Sequence, residues 1–599
     1  MDIRTSLSTA RLDDMVRWRA DQFRRDPQVL FPLRRFCTVK ALLVTDGSLD
    51  FGVGDFGLSA FVNLMVNDGR SYVRFDLTLA HLRSNVSDAE VMKGQPRIVD
   101  SIKGFRFDDP HHFDENRFDE VWLFGFETSF HRPEYEHRNT HQDVYPAGRL
   151  GNAELIALSA HMRRGGGVFA TGDHGALGRA LCGSVNRVRS MRYWDSHVVG
   201  GQDQVGMNNA WRNDTNQRGD AGSQFSDQSD DIPQTLDLKL YHSRLGIFTR
   251  ERYPHPVLCG PDGRITVLPD HPHEGECIEP SPASLTDIYS PDGSEEFPPA
   301  LGGGPRVSPE VVATSRVPSG NTASHFSSTK VATVAHSFGA ISTYDGHRAG
   351  VGRVVCDATW HHFVNVNLIG VVEGGLFDDL TPANSPSKHD GFLSTPGGRA
   401  ALAKIKDYFV NIGVWIAPPA RQRCFNNTLR WDVVYRDRLM EGTLVDPDTP
   451  LAKVPLDLLL HIGTSARDVI GQAAGHCRSL ELTLDLLTPL LPELVQLVDP
   501  WQPPIPLPDP PPIRWADPMR VIDAALGAGI VSLRQALPYP VEVTKDTEAR
   551  AAESLQAGLL HGALRGVRQM GQDLSGLAEI LRASEDRLRG ERRSSVAGE

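Results

Sequence analysis

Gly165-Gly166-Gly167-Val168-Phe169-Ala170-Thr171-Gly172-Asp173-His174-Gly175 decides the reading of this chain. Val168 to Thr171 is a short apolar run bounded by glycines, the pattern of a buried parallel strand. It breaks into a tight turn carrying Asp173 and His174, and the sequence beyond returns to a helical pattern. In open α/β sheets, ligands sit just beyond the carboxyl ends of the strands. The turn is therefore the expected centre of a site; the alternative is a glycine-rich connection whose Asp caps the next helix.

Working outward, Asn152 to Arg164 reads as a helix, with Leu155, Ile156, Leu158 and Met162 at helical spacing. Upstream, residues 39–47 read as a first strand ending in Asp46-Gly47, Leu58 to Val66 as a helix, Tyr72 to Leu79 as a second strand, and Asp119 to Glu127 as a third. Downstream, Lys330 to Ala335 and Gly352 to Thr359 are two further strands, the second running into Trp360-His361-His362. Strands alternating with helices predict an α/β fold with a doubly wound, mostly parallel sheet of flavodoxin or Rossmann type. Right-handed crossovers then bring the carboxyl ends to one crevice. Asp173, His174, Asp357, His361 and His362 are the expected acid–base residues, with Asp46 and Glu127 as substrate-binding groups. The same histidines could instead be hydrogen-bonded core residues.

Two other constellations compete. His271, His273 and Glu274 offer ligands at close spacing for a divalent ion. Ala335-His336-Ser337-Phe338-Gly339 nearly matches a nucleophile elbow, but little room is left for the helix that must follow the serine. No P-loop is present, and Gly52-Val53-Gly54-Asp55-Phe56-Gly57 is only a weak dinucleotide fingerprint.

The 599 residues exceed one core and predict two to four domains. The expected division is an N-terminal helical segment (1–36); an α/β domain (37–390) carrying a polar insertion (200–235) and a Pro/Gly-rich insertion (253–325); a helical region (391–502); a proline-rich linker (503–512); and a mainly α-helical C-terminal region (513–599). A net charge of −13 argues against nucleic acid as a partner. No run of 18 apolar residues argues for a membrane span, and the first residues lack an apolar signal region. Seven scattered cysteines without C-x-x-C fit reduced thiols, hence a cytoplasmic location.

Residues 39–47, 119–127, 152–175 and 350–362 together resemble the class I glutamine amidotransferase-like superfamily, and within it the ThuA-like (trehalose utilisation-like) branch. Gly166 to Gly172 is similar to the family's approach to its nucleophile turn, and Gly350-Val351-Gly352-Arg353-Val354-Val355 running to His361 is similar to its later strand. The resemblance covers roughly the first 380 residues. True amidotransferases carry a Cys at the elbow, where this chain has Asp173-His174-Gly175; the ThuA-like branch also lacks the Cys and tends to have His there. The resemblance thus implies the fold and argues against glutaminase activity. The expected function is an enzyme-like domain that binds a small polar molecule, with room for a divalent metal cofactor, and performs hydrolase-type chemistry without a Cys nucleophile. The alternative is a non-catalytic binding or scaffold protein that assembles, as a homo-oligomer or with a protein partner, through its helical C-terminal third.

Overall fold

The computed structural model describes residues 37–46, 49–114, 116–129, 149–195, 198–199, 202–203, 209–215, 233–242, 252–269, 274–322, 331–370, 390–436, 448–501, 517–537 and 545–596. The expected N-terminal helix, the proline-rich linker and most of the 200–235 insertion lie outside them.

The described residues build one mixed, mostly parallel nine-stranded sheet. In chain order its strands are β1 (Cys37–Thr45), β2 (Val73–His81), β3 (Ile98–Lys103), β4 (Glu120–Phe124), β5 (Gly167–Thr171), β6 (Asp237–Leu238), β7 (Glu310–Val317), β8 (His336–Tyr344) and β9 (Val354–Asp357). Their spatial order is β3-β2-β1-β4-β5-β9-β8-β7-β6. The first six are parallel and the last three add antiparallel pairings. Apolar residues alternate between two cores, as strand geometry demands. Val39, Ala41 and Leu43 of β1, Trp122 and Phe124 of β4 and Phe169 of β5 enter one; Leu42, Val44, Val121, Leu123, Val168 and Ala170 enter the other. Helix α1 (Ser59–Val66) packs into the first core and α2 (Asn152–Arg163) into the second.

The sheet departs from the sequence reading at three places. β3 has one buried residue in six, which hides it from an apolar-run search. The Pro/Gly-rich insertion (253–325), in which no sheet strand was read, supplies β7. Residues 331–335 are not a strand; β8 begins at His336 instead. The Ala335–Gly339 motif therefore lies along an extended strand with no helix after the serine, and is not an elbow.

The core also runs across the boundary expected at 390. Helix α3 (Pro396–Ile416) buries Ile405, Tyr408, Phe409 and Ile412 in the first sheet core, and Phe409 stacks on Phe363 at 4.9 Å. Next comes α4 (Pro419–Arg436), then α5 (Leu456–Ala474), α6 (His476–Leu487), α7 (Met519–Ala536) and the 52-residue α8 (Lys545–Val596). A disulfide joins Cys37 at the start of β1 to Cys424 in α4, closing 387 residues. This corrects the expectation of seven reduced thiols: a pair so far apart in sequence has no spacing signature to read. No helix among the described residues is long and apolar enough to cross a membrane.

Candidate functional site

The four central strands end level. Thr45 is opposite Phe124, Phe124 opposite Thr171, and Thr171 opposite Asp357. Each candidate residue lies at or just past this line. β1 and β4 are also where the chain changes direction across the sheet, the place where open α/β sheets form a crevice.

Asp173 is the hub. Thr359 Oγ1 donates to its Oδ1 at 2.8 Å, His174 Nδ1 lies 2.8 Å from Oδ2, and His361 Nε2 lies 3.7 Å from Oδ2. Burial alone would raise the Asp173 carboxyl, but the His174 ring, its hydrogen bond and the neighbouring His361 and Thr359 hold it below the usual aspartate value. Asp173 does not cap a helix. The following helical turn starts at Arg179, its N-cap is Gly178, and no side chain caps it. Gly178 is required there: its φ is 93°, and a Cβ would lie 2.8 Å from the Cα of Gly172 and 2.9 Å from the carbonyl of Gly125. This close stacking of three glycines ties the turn after β5 to the end of β4.

His361 and His362 sit in the 3-10 turn Trp360–His362 after β9, capped by Thr359, whose Oγ1 accepts from the His361 amide. They serve different networks. His361 Nδ1 is 2.9 Å from Asn367 Oδ1, and its ring stacks on Trp360 with centroids 4.0 Å apart. Burial pushes its pKa down to about 4, so the ring is neutral at physiological pH. His362 turns the other way, with Nδ1 2.7 Å from Asp357 Oδ1 and Nε2 3.3 Å from Gln234 Oε1 and 3.9 Å from Glu274 Oε1. Tyr408 of α3 donates to Asp357 Oδ2 at 2.6 Å; burial, then the Asp357 charge, hold its phenol far above the usual range. Asp357, His362 and Gln234 are wholly buried. The five expected acid–base residues therefore separate into Asp173/His174/His361 and a sealed Asp357/His362 pair, bridged by Thr359, whose amide also donates to Asp357 Oδ1.

Asp46 accepts from the amides of Phe126 (2.6 Å) and Glu127 (3.2 Å) beyond β4. Burial, only partly offset by these bonds, pushes its pKa up to about 7. Glu127 is partly exposed and pairs with Arg83 at 3.1 Å. A row of rings connects this end to His361: Phe126 lies 5.5 Å from Trp360, and Phe56 lies 5.8 Å from Trp360 and 5.9 Å from His361.

Of the proposed metal ligands, Glu274 is buried and held by Thr215 (3.4 Å) and Gln234 (3.5 Å), while His271 and His273 lie outside the described residues. Among the described residues no group of three or more His, Cys, Asp or Glu is arranged to hold a metal ion. The glycines at 52–57 form no open phosphate cradle either. Asn365 donates to the carbonyls of Gly52 and Gly54 and accepts from the Ala60 amide in the first turn of α1, so that turn is closed from within.

Sequence reasoning missed Arg192, Thr359, Asn365, Asn367 and Tyr408. Thr359 had a signal, because Thr is a capping residue type and stands two residues before the paired histidines. Arg192 had none. It is 1% exposed, lies over Trp194 (4.5 Å), and donates to the carbonyls of Asp173 and Ala358 (both 2.7 Å), Asp357 (3.2 Å) and Tyr193 (2.8 Å). It clamps the ends of β5 and β9 together from below. No family model, curated protein or solved structure matches the chain.

Proposed function

We propose that the ends of β1, β4, β5 and β9 form an acid–base site of hydrolase type that acts on a small polar molecule. The observation that carries this reading is the convergence on Asp173 of two imidazoles and a hydroxyl from two strand ends. An ionised, buried carboxylate at His174 Nδ1 fixes the tautomer and orientation of the ring. His174 Nε2 is then the atom that takes a proton from an attacking water and returns it to the leaving group. His174 is the partly exposed member of the trio, with 22% of its side chain open. Asp46, poised near neutrality at the point where the chain changes direction, is a second proton carrier for the same crevice.

A Cys nucleophile has no place in this reading. Cys182 is buried, its Sγ faces the Thr171 carbonyl at 3.7 Å, and burial holds its thiol far above the ordinary value. The doubly wound topology and the likeness to Cys-less ThuA-like members of the amidotransferase-like superfamily belong to the same proposal. The sealed Asp357–His362–Tyr408 network favours a second reading, in which the polar strand ends only tie loops together in a scaffold.

A thermal-shift screen of polar metabolites and divalent metals, followed by hydrolysis assays on the hits, separates the two. The acid–base reading expects His174→Gln to melt within about 3 °C of the parent, because the ring is partly exposed, yet to lose turnover by about 100-fold or more. A His174→Gln protein that keeps full activity, or a parent that responds to nothing, would leave the scaffold reading standing.

A further inference from the structure

Helix α8 leads two lives along its length. Up to Gly566 it is bound to its own body: Ala551, Leu555, Leu559 and Ala563 are buried, and Gly558, Gly562 and Gly566 lie directly against α7 at Ala528, Ala524 and Val521. From 567 to 587 no residue is buried. At about 1.5 Å per residue this free stretch is roughly 30 Å of helix. A water-exposed helix of that length needs a partner for its apolar face.

The sequence of the free stretch is a heptad repeat. Val567, Met570, Leu574, Leu577, Leu581 and Ser584 follow one another at spacings of three, four, three, four and three. This is the a/d seam of a left-handed coiled coil. The seam is exposed rather than spent on the body: Val567 is 47%, Leu577 40% and Leu581 59% exposed, and Ile580, flanking the seam, is 64% exposed. Together with Leu564 they set a row of large apolar side chains, each 40–64% exposed, along the free helix, the composition of an interaction surface.

We infer that this stretch pairs with the same stretch of a second copy of the chain, antiparallel, about a twofold axis beside Leu577 and Leu581. The flanking charges select that order. When Leu577 faces Leu581 of the second copy, Met570 and Leu574 extend the seam on either side, and Asp573 meets Arg587 of the second copy, twice by symmetry. Ile580 then meets its own symmetry mate, so the most exposed apolar side chain is covered. In the parallel order Ile580 would face Glu585 and Asp573 would face Ala578, which wastes the first and leaves the second without a charge partner. The face is thus complementary to its own reverse.

Sedimentation and light scattering of the full chain test this. The parent is expected at twice 65.9 kDa at micromolar concentration. Leu577→Asp/Leu581→Asp is expected at the monomer mass, with the melting temperature the parent shows at concentrations where it dissociates, since neither side chain is buried within its own chain. Asp573→Arg should raise the dimer Kd at least about tenfold by setting like charges together, and Asp573→Arg/Arg587→Asp should restore it. A parent that stays monomeric at tens of micromolar, a double-Asp variant that still dimerises, or a charge reversal that the second swap does not repair would each overturn the proposal.

Discussion

Replacing His361 with Gln gives a stability difference whose pH dependence is set by one ring. His361 is 3% exposed, its pKa is pushed down to about 4 by burial, and the ordinary value is 6.5. The folded protein therefore holds this ring neutral where the unfolded chain would protonate it. The His361 contribution is fully present above pH 6.5 and is lost as pH falls toward 4. A shift of that size corresponds to about 3 kcal/mol, at about 1.4 kcal/mol per pH unit. Gln cannot titrate, but it gives up the stack on Trp360 and weakens the bond to Asn367, which costs about 1–2 kcal/mol at neutral pH. The parent should then be the more stable protein at pH 7.5 and the less stable one at pH 4.5, with the two curves crossing near about pH 5.5.

Taking the difference between the two proteins isolates His361 from groups that titrate alongside it. Asp46 has the opposite sign: its folded pKa is raised to about 7, so its protonation stabilises the fold as pH falls from about 7 to 3.8. His255 and His347, pushed down by burial to about 4 and about 3, act in the same direction as His361. All three cancel in the difference. Asp173, with a lowered pKa, loses its contribution only below 3.8. Urea midpoints of the two proteins, measured from about pH 7.5 to about pH 4, decide the matter. Parallel curves would refute the assignment of a neutral, buried His361.

Two other perturbations probe what holds the crevice. Asn365→Ala removes the side chain that joins the loop after β1 to the turn after β9; the Ala60 amide loses its acceptor, while the Gly52 and Gly54 carbonyls keep only the Ser59 and Gly57 amides, so it should cost about 1–3 kcal/mol and speed hydrogen exchange at Ala60. Unchanged exchange there would show that the loop is held by other means. Cys37→Ser/Cys424→Ser should cost about 2–5 kcal/mol, and a reducing agent should lower the melting temperature of the parent but not of the variant; equal responses of the two proteins would count against the bond.

The parts of this fold legible in the sequence are those whose signal is local. β5 and β9 are apolar runs closed by glycine or by titratable residues, and α2 has three turns of helical spacing, so all three could be read directly. The antiparallel edge could not. β6 is two residues long, and β7 follows a Pro- and Gly-rich segment that conceals its alternation. Strand ends were likewise readable as carriers of Asp173, His174 and His361, because a carboxylate or imidazole at the close of a buried strand is conspicuous. Most of their partners were not, since Asn365, Asn367 and Arg192 are defined by what they reach in space.

Tyr408 shows how packing runs across the boundary expected at 390. Proline, glycine and serine between 382 and 396 mark a change in the character of the chain, and the helical pattern after them reads as a new unit. Yet α3 covers the same face of the sheet as α1, and it sends Tyr408 to Asp357 at the end of β9. A tyrosine hydroxyl buried there without Asp357 would lose its bond, and Asp357 without Tyr408 would face His362 with one oxygen less satisfied. Neither element can be removed without exposing a polar group of the other inside an apolar core. The helix after the break is for this reason part of the sheet's own architecture, and the polar network at the strand ends depends on it as much as on the strands.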